Sequence, residues 1–251
     1  MDLDGRVAIV TGAARGLGQE YSLALARHGA RIVAADVLAC DETLSRIKAA
    51  GGSAIGVTVD VADRRNTEAM AERAVSQFGR IDILVNNAAL LGRLVSFDQI
   101  SEDEWDRIMA VNVKGTWNCC KAVIPIMRPQ GKGKIINVSS GTIWSGTPHY
   151  LHYVTSKGAV FALTRSLARE LSGTGINVNT LTPGYTMTPA ALSLADRESI
   201  ETLKQNILGQ QIIKRSEQPG DLSGTVVFLA SDASDFITGQ TFNVDGGGNL
   251  H

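Results

Sequence analysis

The sequence is poor in cysteine and has no long apolar run. The three cysteines, Cys40, Cys119 and Cys120, show no metal-ligand spacing and cannot form an even set of disulfides. No apolar stretch approaches the ~20 residues that a membrane-spanning helix needs. The first residues, Met-Asp-Leu-Asp-Gly-Arg, also lack the basic and apolar regions of a secretory signal. We therefore expect a cytoplasmic protein with no membrane segment.

An excess of charge of either sign is also absent. Lysine and arginine number 24, aspartate and glutamate number 25, and no basic run is longer than Arg64-Arg65. This balance gives no electrostatic reason to expect a nucleic acid or an anionic membrane as a partner. At 251 residues, of which 44% are hydrophobic, the chain suits one large domain with a substantial core.

Short β-branched runs alternate with amphipathic helical patterns. The predicted buried strands cover residues 7–10, 31–35, 54–59, 81–85, 134–138, 177–181 and 241–244. The predicted helices cover residues 16–28, 41–49, 64–78, 102–127, 151–171 and 219–230. Such alternation is typical of a parallel sheet with right-handed crossovers. We predict a single Rossmann-type α/β domain over residues 1–251: a doubly wound, seven-stranded parallel sheet with helices on both faces.

A less regular stretch, residues 186–217, interrupts this alternation after the sixth strand. It is expected to be partly helical, around residues 196–208. An excursion at the carboxyl edge of a parallel sheet is where a substrate lid would lie.

A glycine-rich turn joins the first predicted strand to the first helix. Its glycines allow a tight turn and let the backbone approach a pyrophosphate at the helix N terminus. The spacing is G-x-x-x-G-x-G, which differs from the standard G-x-G-x-x-G, and a purely structural strand-to-helix turn is the alternative. The predicted cofactor contacts of this turn are Gly12, Arg15, Gly16, Leu17 and Gly18.

Asp36 ends the second predicted strand, where a carboxylate accepts hydrogen bonds from an adenosine ribose and repels a 2′-phosphate. Arg15 is a mild counterweight, because a basic side chain in the turn could meet that phosphate. Repulsion between a carboxylate and a dianion is the larger effect, so we predict NAD rather than NADP. Further contacts are expected at the ends of strands three and four, from Asp60, Val61, Asn87 and Ala88.

Tyr153 and Lys157 stand four residues apart, which places both on one face of a helix. A tyrosine with a pKa near ~10 is a poor base at neutral pH, and a nearby ammonium would lower that pKa. Such pairs also occur by chance on solvated helices. Ser140 ends the fifth predicted strand, where its hydroxyl could hydrogen-bond a substrate oxygen. Asn112 lies within a long helix and could equally be a satisfied core amide.

Together these residues resemble the classical short-chain dehydrogenase/reductase family over essentially the whole chain. The resemblance rests on the glycine turn, Asn86-Asn87-Ala88, Asn112, Ser140, Tyr153-x-x-x-Lys157, Pro183-Gly184 and the C-terminal Phe236 to Gly247 region, in order and at the family's spacing. Ala89 is a departure, since the family usually has glycine there.

The resemblance implies roles for these residues. Tyr153 would be the acid/base, and Lys157 would lower its pKa and hold the nicotinamide ribose. Ser140 would orient the substrate oxygen, and Asn112 would hold a water that relays the proton. Pro183 and Gly184 would contact the cofactor, and Thr186 and Thr188, which follow them, would touch the diphosphate and the carboxamide. The family also implies a homotetramer that packs the helices of Asn112 and Tyr153 between subunits.

The predicted substrate pocket is mainly apolar and aromatic. Its expected contacts are Ser140, Trp144, His149, Tyr153 and Tyr185, and Arg93 is the one basic residue placed near it. These residues favour an uncharged hydrophobic secondary alcohol or its ketone. The run 141–144 and the terminal His251 weakly resemble family members that act on aryl alcohols. His149 and His152 lack a third ligand, so no metal is expected.

Two other functions stay open. The first is an NADPH-dependent 3-oxoacyl reductase of the same family, against which Asp36 and the missing basic patch for an acidic carrier protein argue. The second is a non-catalytic nucleotide-binding scaffold, which would not need Ser140, Tyr153 and Lys157. A serine hydrolase is a poor match, because no G-x-S-x-G elbow is present.

Overall fold

Seven parallel strands form one sheet in a computed structural model that describes residues 1–194 and 196–250. The strands are β1 (Val7–Thr11), β2 (Arg31–Asp36), β3 (Ala54–Thr58), β4 (Ile83–Asn86), β5 (Gly133–Val138), β6 (Ile176–Pro183) and β7 (Thr241–Val244). Their order in the sheet is β3-β2-β1-β4-β5-β6-β7. The chain adds strands outward on one side from β1 to β3 and then crosses to the other side of β1 for β4 to β7. The predicted doubly wound, Rossmann-type sheet is confirmed.

The helices occupy the crossovers between these strands. They are α1 (Gly16–Arg27), α2 (Asp41–Ala49), α3 (Arg64–Phe78), α4 (Glu102–Met109), α5 (Gly115–Gln130), α6 (Thr142–Ser145), α7 (Leu151–Glu170), α8 (Pro189–Leu192), α9 (Arg197–Gln210) and α10 (Pro219–Ala230). Local signals set several ends: Asp63 caps α3 by accepting from the Arg65 amide, and Gly79 ends it with φ of 81°.

Two hydrophobic layers hold the sheet. Side chains of α1 and α10, such as Leu25 and Val226, pack on one face, and those of α3 and α5, such as Met70 and Val123, pack on the other. Strands β1, β4 and β5 are buried along their whole length, as expected when helices cover both faces. Within the described residues, no helix is long and apolar enough to cross a bilayer.

The structure differs from the prediction at the single long helix over residues 102–127. That stretch is α4 and α5 joined by a π-helical segment, Ala110–Lys114. Periodicity could not reveal this, because one extra residue in a turn leaves the apolar pattern on either side unchanged. The predicted lid contains the short helix α8 and the longer helix α9. The helix expected over residues 196–208 corresponds to α9, which begins one residue later and ends two residues later.

Candidate active site

The glycine turn follows β1 directly and is shaped by close backbone contacts. Gly12 and Gly16 have φ of 67° and 60°, a region that favours glycine. A Cβ on Gly18 would lie 2.0 Å from the Gly12 carbonyl oxygen, so no side chain fits there. Leu17 is half-buried against the core, whereas Arg15 is exposed.

The N terminus of α1 meets the conditions for binding an anion. No side chain caps it, and no acidic residue stands in its first turn. Unpaired amides and the helix dipole at such an end favour a phosphate. The residues of this turn therefore fit the diphosphate of a dinucleotide.

Asn87 and Thr11 hold the turn in place. The Asn87 amide nitrogen donates to the carbonyl oxygens of Thr11 and Gly12, at 2.9 and 3.3 Å. The Thr11 hydroxyl accepts from the backbone amides of Asn87 and Ala88, both at 3.0 Å. The structure thus places Asn87 and Ala88 beside the turn as predicted, but its contacts give the Asn87 side chain a structural task there.

Asp36 also faces the glycine turn. Its carboxylate oxygens accept from the backbone amides of Ala14 and Leu38, at 2.9 and 3.0 Å. Asp60 lies exposed beyond β3 and accepts from the Ala62 amide at 2.9 Å, and Val61 is buried beside it. All of these predicted cofactor residues lie at the carboxyl edge, around the point where the strand order reverses.

Three predicted catalytic side chains converge at the ends of β5 and α7. Tyr153 and Ser140 are each 8% exposed, and Lys157 is 3% exposed. The Lys157 ammonium lies 5.7 Å from the centre of the Tyr153 ring and donates to the Val138 carbonyl at 2.8 Å. A phenol, a hydroxyl and an ammonium therefore share one nearly dry site.

The expectation that Lys157 lowers the pKa of Tyr153 is not met in the protein alone. Burial raises the pKa of Tyr153 to about 12, opposed only by the Ser140 side chain. Burial likewise lowers the pKa of Lys157 to about 8. Desolvation penalises both charged forms and is the largest effect on the pKa of each group.

Asn112 is buried in the π-helical segment and fully engaged. Its side-chain oxygen accepts from the Leu90 amide at 2.8 Å, and its nitrogen donates to the Leu90 carbonyl and the Ser156 hydroxyl at 3.0 and 2.9 Å. π-Helical turns are frequent at functional sites. The side chain of Asn112 thus ties the segment after β4 to α7, three residues from Tyr153.

Arg93, the basic residue expected near the substrate pocket, is paired with a carboxylate. Its guanidinium and backbone amide both bind Glu104, at 2.6 to 3.0 Å. This pairing lowers the pKa of Glu104 to about 2, and Glu104 also contacts buried His152 at 3.2 Å. Sequence reasoning missed this network, because the partners lie on separate elements.

The predicted substrate residues lie on the stretch before Tyr153 and on the segment that follows β6. His149 is exposed and has φ of 60°, and its carbonyl accepts from the Val95 amide. Trp144 packs edge-to-face on Phe161. Tyr150 is 5% exposed and stacks on Tyr153 at 4.5 Å between ring centres. His251 lies outside the described residues.

Residues 184–188 form the wall opposite the glycine turn. A Cβ at Gly16 would lie 3.5 Å from the Thr188 side chain, which places the two segments side by side. Thr188 caps α8 by accepting from the Ala191 amide at 3.2 Å. The Pro183 carbonyl accepts a hydrogen bond from the Gly141 amide. The buried Thr186 hydroxyl donates one to the Glu217 carboxylate. Tyr185 is half-buried, and its hydroxyl lies 3.4 Å from the Ala191 carbonyl.

Comparisons with known proteins place this chain in a family. A family model described as enoyl-(acyl carrier protein) reductase matches residues 12–249. The 3-oxoacyl-[acyl-carrier-protein] reductase FabG of Staphylococcus aureus is 39% identical over 243 residues, which are 96% of this chain and 96% of that protein.

Two solved structures carry different cofactors. The 3-ketoacyl-(acyl-carrier-protein) reductase of Brucella melitensis, complexed with NADH, has a TM-score of 0.89 and 31% identity, covering 99% of this chain and 100% of that one. A candidate 2-deoxy-d-gluconate 3-dehydrogenase of Agrobacterium tumefaciens with bound NADP has a TM-score of 0.89 and 36% identity, covering 98% and 97%.

The matches span nearly the full chain. The cofactor-bound structures include both NADH and NADP, which supports a nicotinamide dinucleotide without choosing between the two. The chain therefore belongs to the classical short-chain dehydrogenase/reductase family, the NAD(P)-dependent oxidoreductases that act on CH–OH groups.

Proposed function

We propose that this protein interconverts a hydrophobic secondary alcohol and its ketone, with NAD as the cofactor. The observation that carries the proposal is the convergence of Ser140, Tyr153 and Lys157, all nearly buried, at the carboxyl edge of the sheet. A scaffold that only sensed a nucleotide would have no use for this arrangement. A bound nicotinamide dinucleotide supplies the hydride acceptor or donor.

Side chains of this protein carry out the proton transfer. Tyr153 exchanges its phenolic proton with the substrate oxygen, and the Ser140 hydroxyl donates to the same oxygen. Lys157, held by the Val138 carbonyl, gives positive charge that favours the phenolate when Tyr153 is deprotonated. Asn112 fixes the Leu90 end of the neighbouring segment through paired hydrogen bonds, so the site keeps its shape.

The preference for NAD rests on Asp36. Its carboxylate lies next to the glycine turn, where it repels a 2′-phosphate. The three residues that follow it, 37–39, are uncharged and exposed. Arg15 is exposed nearby and is the one basic side chain of the turn itself.

The substrate preference rests on the side chains around Tyr153. Tyr150, which stacks on Tyr153, and Tyr185 near it give an aromatic wall that Trp144 is expected to extend, and Arg93 is already paired with Glu104. An apolar or aryl secondary alcohol suits such a wall better than an anion does.

The test follows the absorbance of the reduced nicotinamide. NAD and, separately, NADP are mixed with aryl, alkyl and cyclic secondary alcohols, diols and 3-hydroxyacyl esters. We expect NAD reduction with the aryl or cyclic alcohols. No turnover with any of the alcohols, despite measurable NAD binding, would refute the proposal.

A second candidate is an NADPH-dependent 3-oxoacyl reductase. The 39% identity to FabG of Staphylococcus aureus over 96% of both chains favours it. Asp36 and the near-neutral net charge of −1 argue against an NADPH enzyme that docks an acidic carrier protein. In the same assay, turnover restricted to NADP with hydroxyacyl esters would select this candidate.

Assembly as a homotetramer is part of the proposal. Trp117 on α5 and Leu151 on α7 are each 48% exposed, as apolar residues at subunit interfaces are in an isolated chain. These are the helices that the family resemblance assigns to the interface. Sedimentation velocity at micromolar concentration should give a species of about four times 26.6 kDa, whereas a monomer would refute this part.

A further inference from the structure

Glu217 is a buried carboxylate that contacts residues 184–188. It is not one of the residues proposed above as catalytic. Glu217 is 5% exposed and lies just before α10. One oxygen accepts from the Thr186 hydroxyl at 2.5 Å, and the other accepts from the Gly184 amide at 3.3 Å. The backbone adds to this anchor, because the Met187 amide donates to the Glu217 carbonyl at 3.0 Å.

Residues 184–188 are closely packed against their neighbours. A Cβ at Gly184 would lie 2.9 Å from the Glu217 carboxylate and 2.9 Å from the Asp245 side chain. Thr188, two residues beyond Thr186, lies against Gly16 of the glycine turn. A movement of the segment away from Glu217 would therefore change the width of the dinucleotide site.

The groups around Glu217 are mostly acidic. Asp221 on α10 and Asp245 after β7 both disfavour its ionised form, and Tyr21 on α1 also faces it. Arg215, on its own segment, is held by Asp221. Burial, the largest cause, raises the pKa of Glu217 to about 7, so the carboxyl changes its charge in the neutral range.

We propose that Glu217 is a positioning residue for the dinucleotide: its ionised carboxylate, which accepts from Thr186 and Gly184, holds residues 184–188 beside the glycine turn. The protonated carboxyl holds them less well, since one of its oxygens then carries a proton and accepts poorly. This inference rests on the proposed dinucleotide site. Linkage requires that binding which favours the ionised form be accompanied by release of a proton.

The first test uses the unmodified protein. NAD, and NADP in parallel, are titrated by calorimetry at pH 7 in two buffers that differ in ionisation enthalpy. The expected result is release of a fraction of a proton per dinucleotide bound, and affinity that tightens roughly fivefold from pH 6 to pH 8. No proton release, or affinity that weakens over this range, would overturn the inference.

Variants then assign the effect to this pair of residues. Glu217→Gln should bind NAD at pH 8 as weakly as the unmodified protein does at pH 6, with no pH dependence and no proton release. Thr186→Val should weaken binding by a similar factor, Thr186→Ser should restore it, and the double variant should be no weaker than either single one. Glu20→Gln, the same change at a half-buried carboxylate of α1, is the control and should leave the pH dependence intact.

The outcomes separate the two proposals. If neither dinucleotide binds the unmodified protein, the proposed function fails and this inference fails with it. If a dinucleotide binds but Glu217→Gln keeps the pH dependence, only the role of Glu217 is overturned. If Glu217→Gln does not fold, the proton release of the unmodified protein and the Thr186 variants decide the question.

Discussion

Replacement of Gly18 by alanine tests whether backbone contact shapes the cofactor turn. The added methyl would lie 2.0 Å from the Gly12 carbonyl oxygen and 2.6 Å from the Asn87 amide nitrogen. Contacts this short cannot persist, so α1 must move away from the turn or Asn87 must give up its hydrogen bonds. Overpacking of this kind costs about 1–3 kcal/mol. At roughly 2–4 °C per kcal/mol for a chain of this size, the melting temperature should fall by about 2–12 °C.

The matched control makes the same chemical change at Gly224. This glycine lies in the interior of α10 and is exposed, and a methyl group added to it would meet no atom within 4 Å. Alanine there should raise stability by about 0.5–1 kcal/mol through helix propensity alone. The two substitutions are thus expected to have opposite signs.

The assay is thermal unfolding of both variants, followed by NAD titration of those that fold. Gly18→Ala should unfold at a lower temperature and bind NAD more weakly, because the amides of the turn are displaced. Gly224→Ala should bind NAD normally. If Gly18→Ala melts at the unmodified temperature and keeps its affinity, the contact between Gly18 and Gly12 does not determine the shape of the turn.

Three further predictions concern single carboxylate or phenol groups. Tyr153→Phe should leave NAD affinity nearly intact and lower kcat by about 10²–10⁴-fold, and comparable turnover in the variant would sink the proposed proton transfer. Asp36→Ala should raise the NADP-to-NAD ratio of kcat/KM about tenfold or more, since a carboxylate no longer repels the 2′-phosphate, and an unchanged ratio would contradict the Asp36 argument. The rise of the pKa of Glu217 from 4.5 to about 7 means that this group stabilises the fold fully below pH 4.5 and loses that contribution as pH rises through 7. Denaturant unfolding should show a loss of up to roughly 3 kcal/mol over this range, which Glu217→Gln should not show.

The amino-acid sequence by itself predicted the order of the strands and supplied the residues proposed for the catalytic set. β-Branched runs such as Val7–Thr11 are buried on both faces only in a sheet covered by helices, so their alternation with helical patterns predicted the doubly wound fold. Residues at strand ends, such as Ser140 and Asp36, could be placed from position alone, because the carboxyl ends of parallel strands meet at one edge. The spacing of Tyr153 and Lys157 likewise follows from the helical repeat.

Only the tertiary structure decided the electrostatics and the long-range contacts. Sequence spacing suggested that Lys157 lowers the pKa of Tyr153, but burial raises it, and burial is a property of everything packed around the pair. The links from Arg93 to Glu104 and from Thr186 to Glu217 join side chains 11 and 31 positions apart on separate segments. No local pattern marks such partners, since their distance in space depends on how whole helices pack against the sheet.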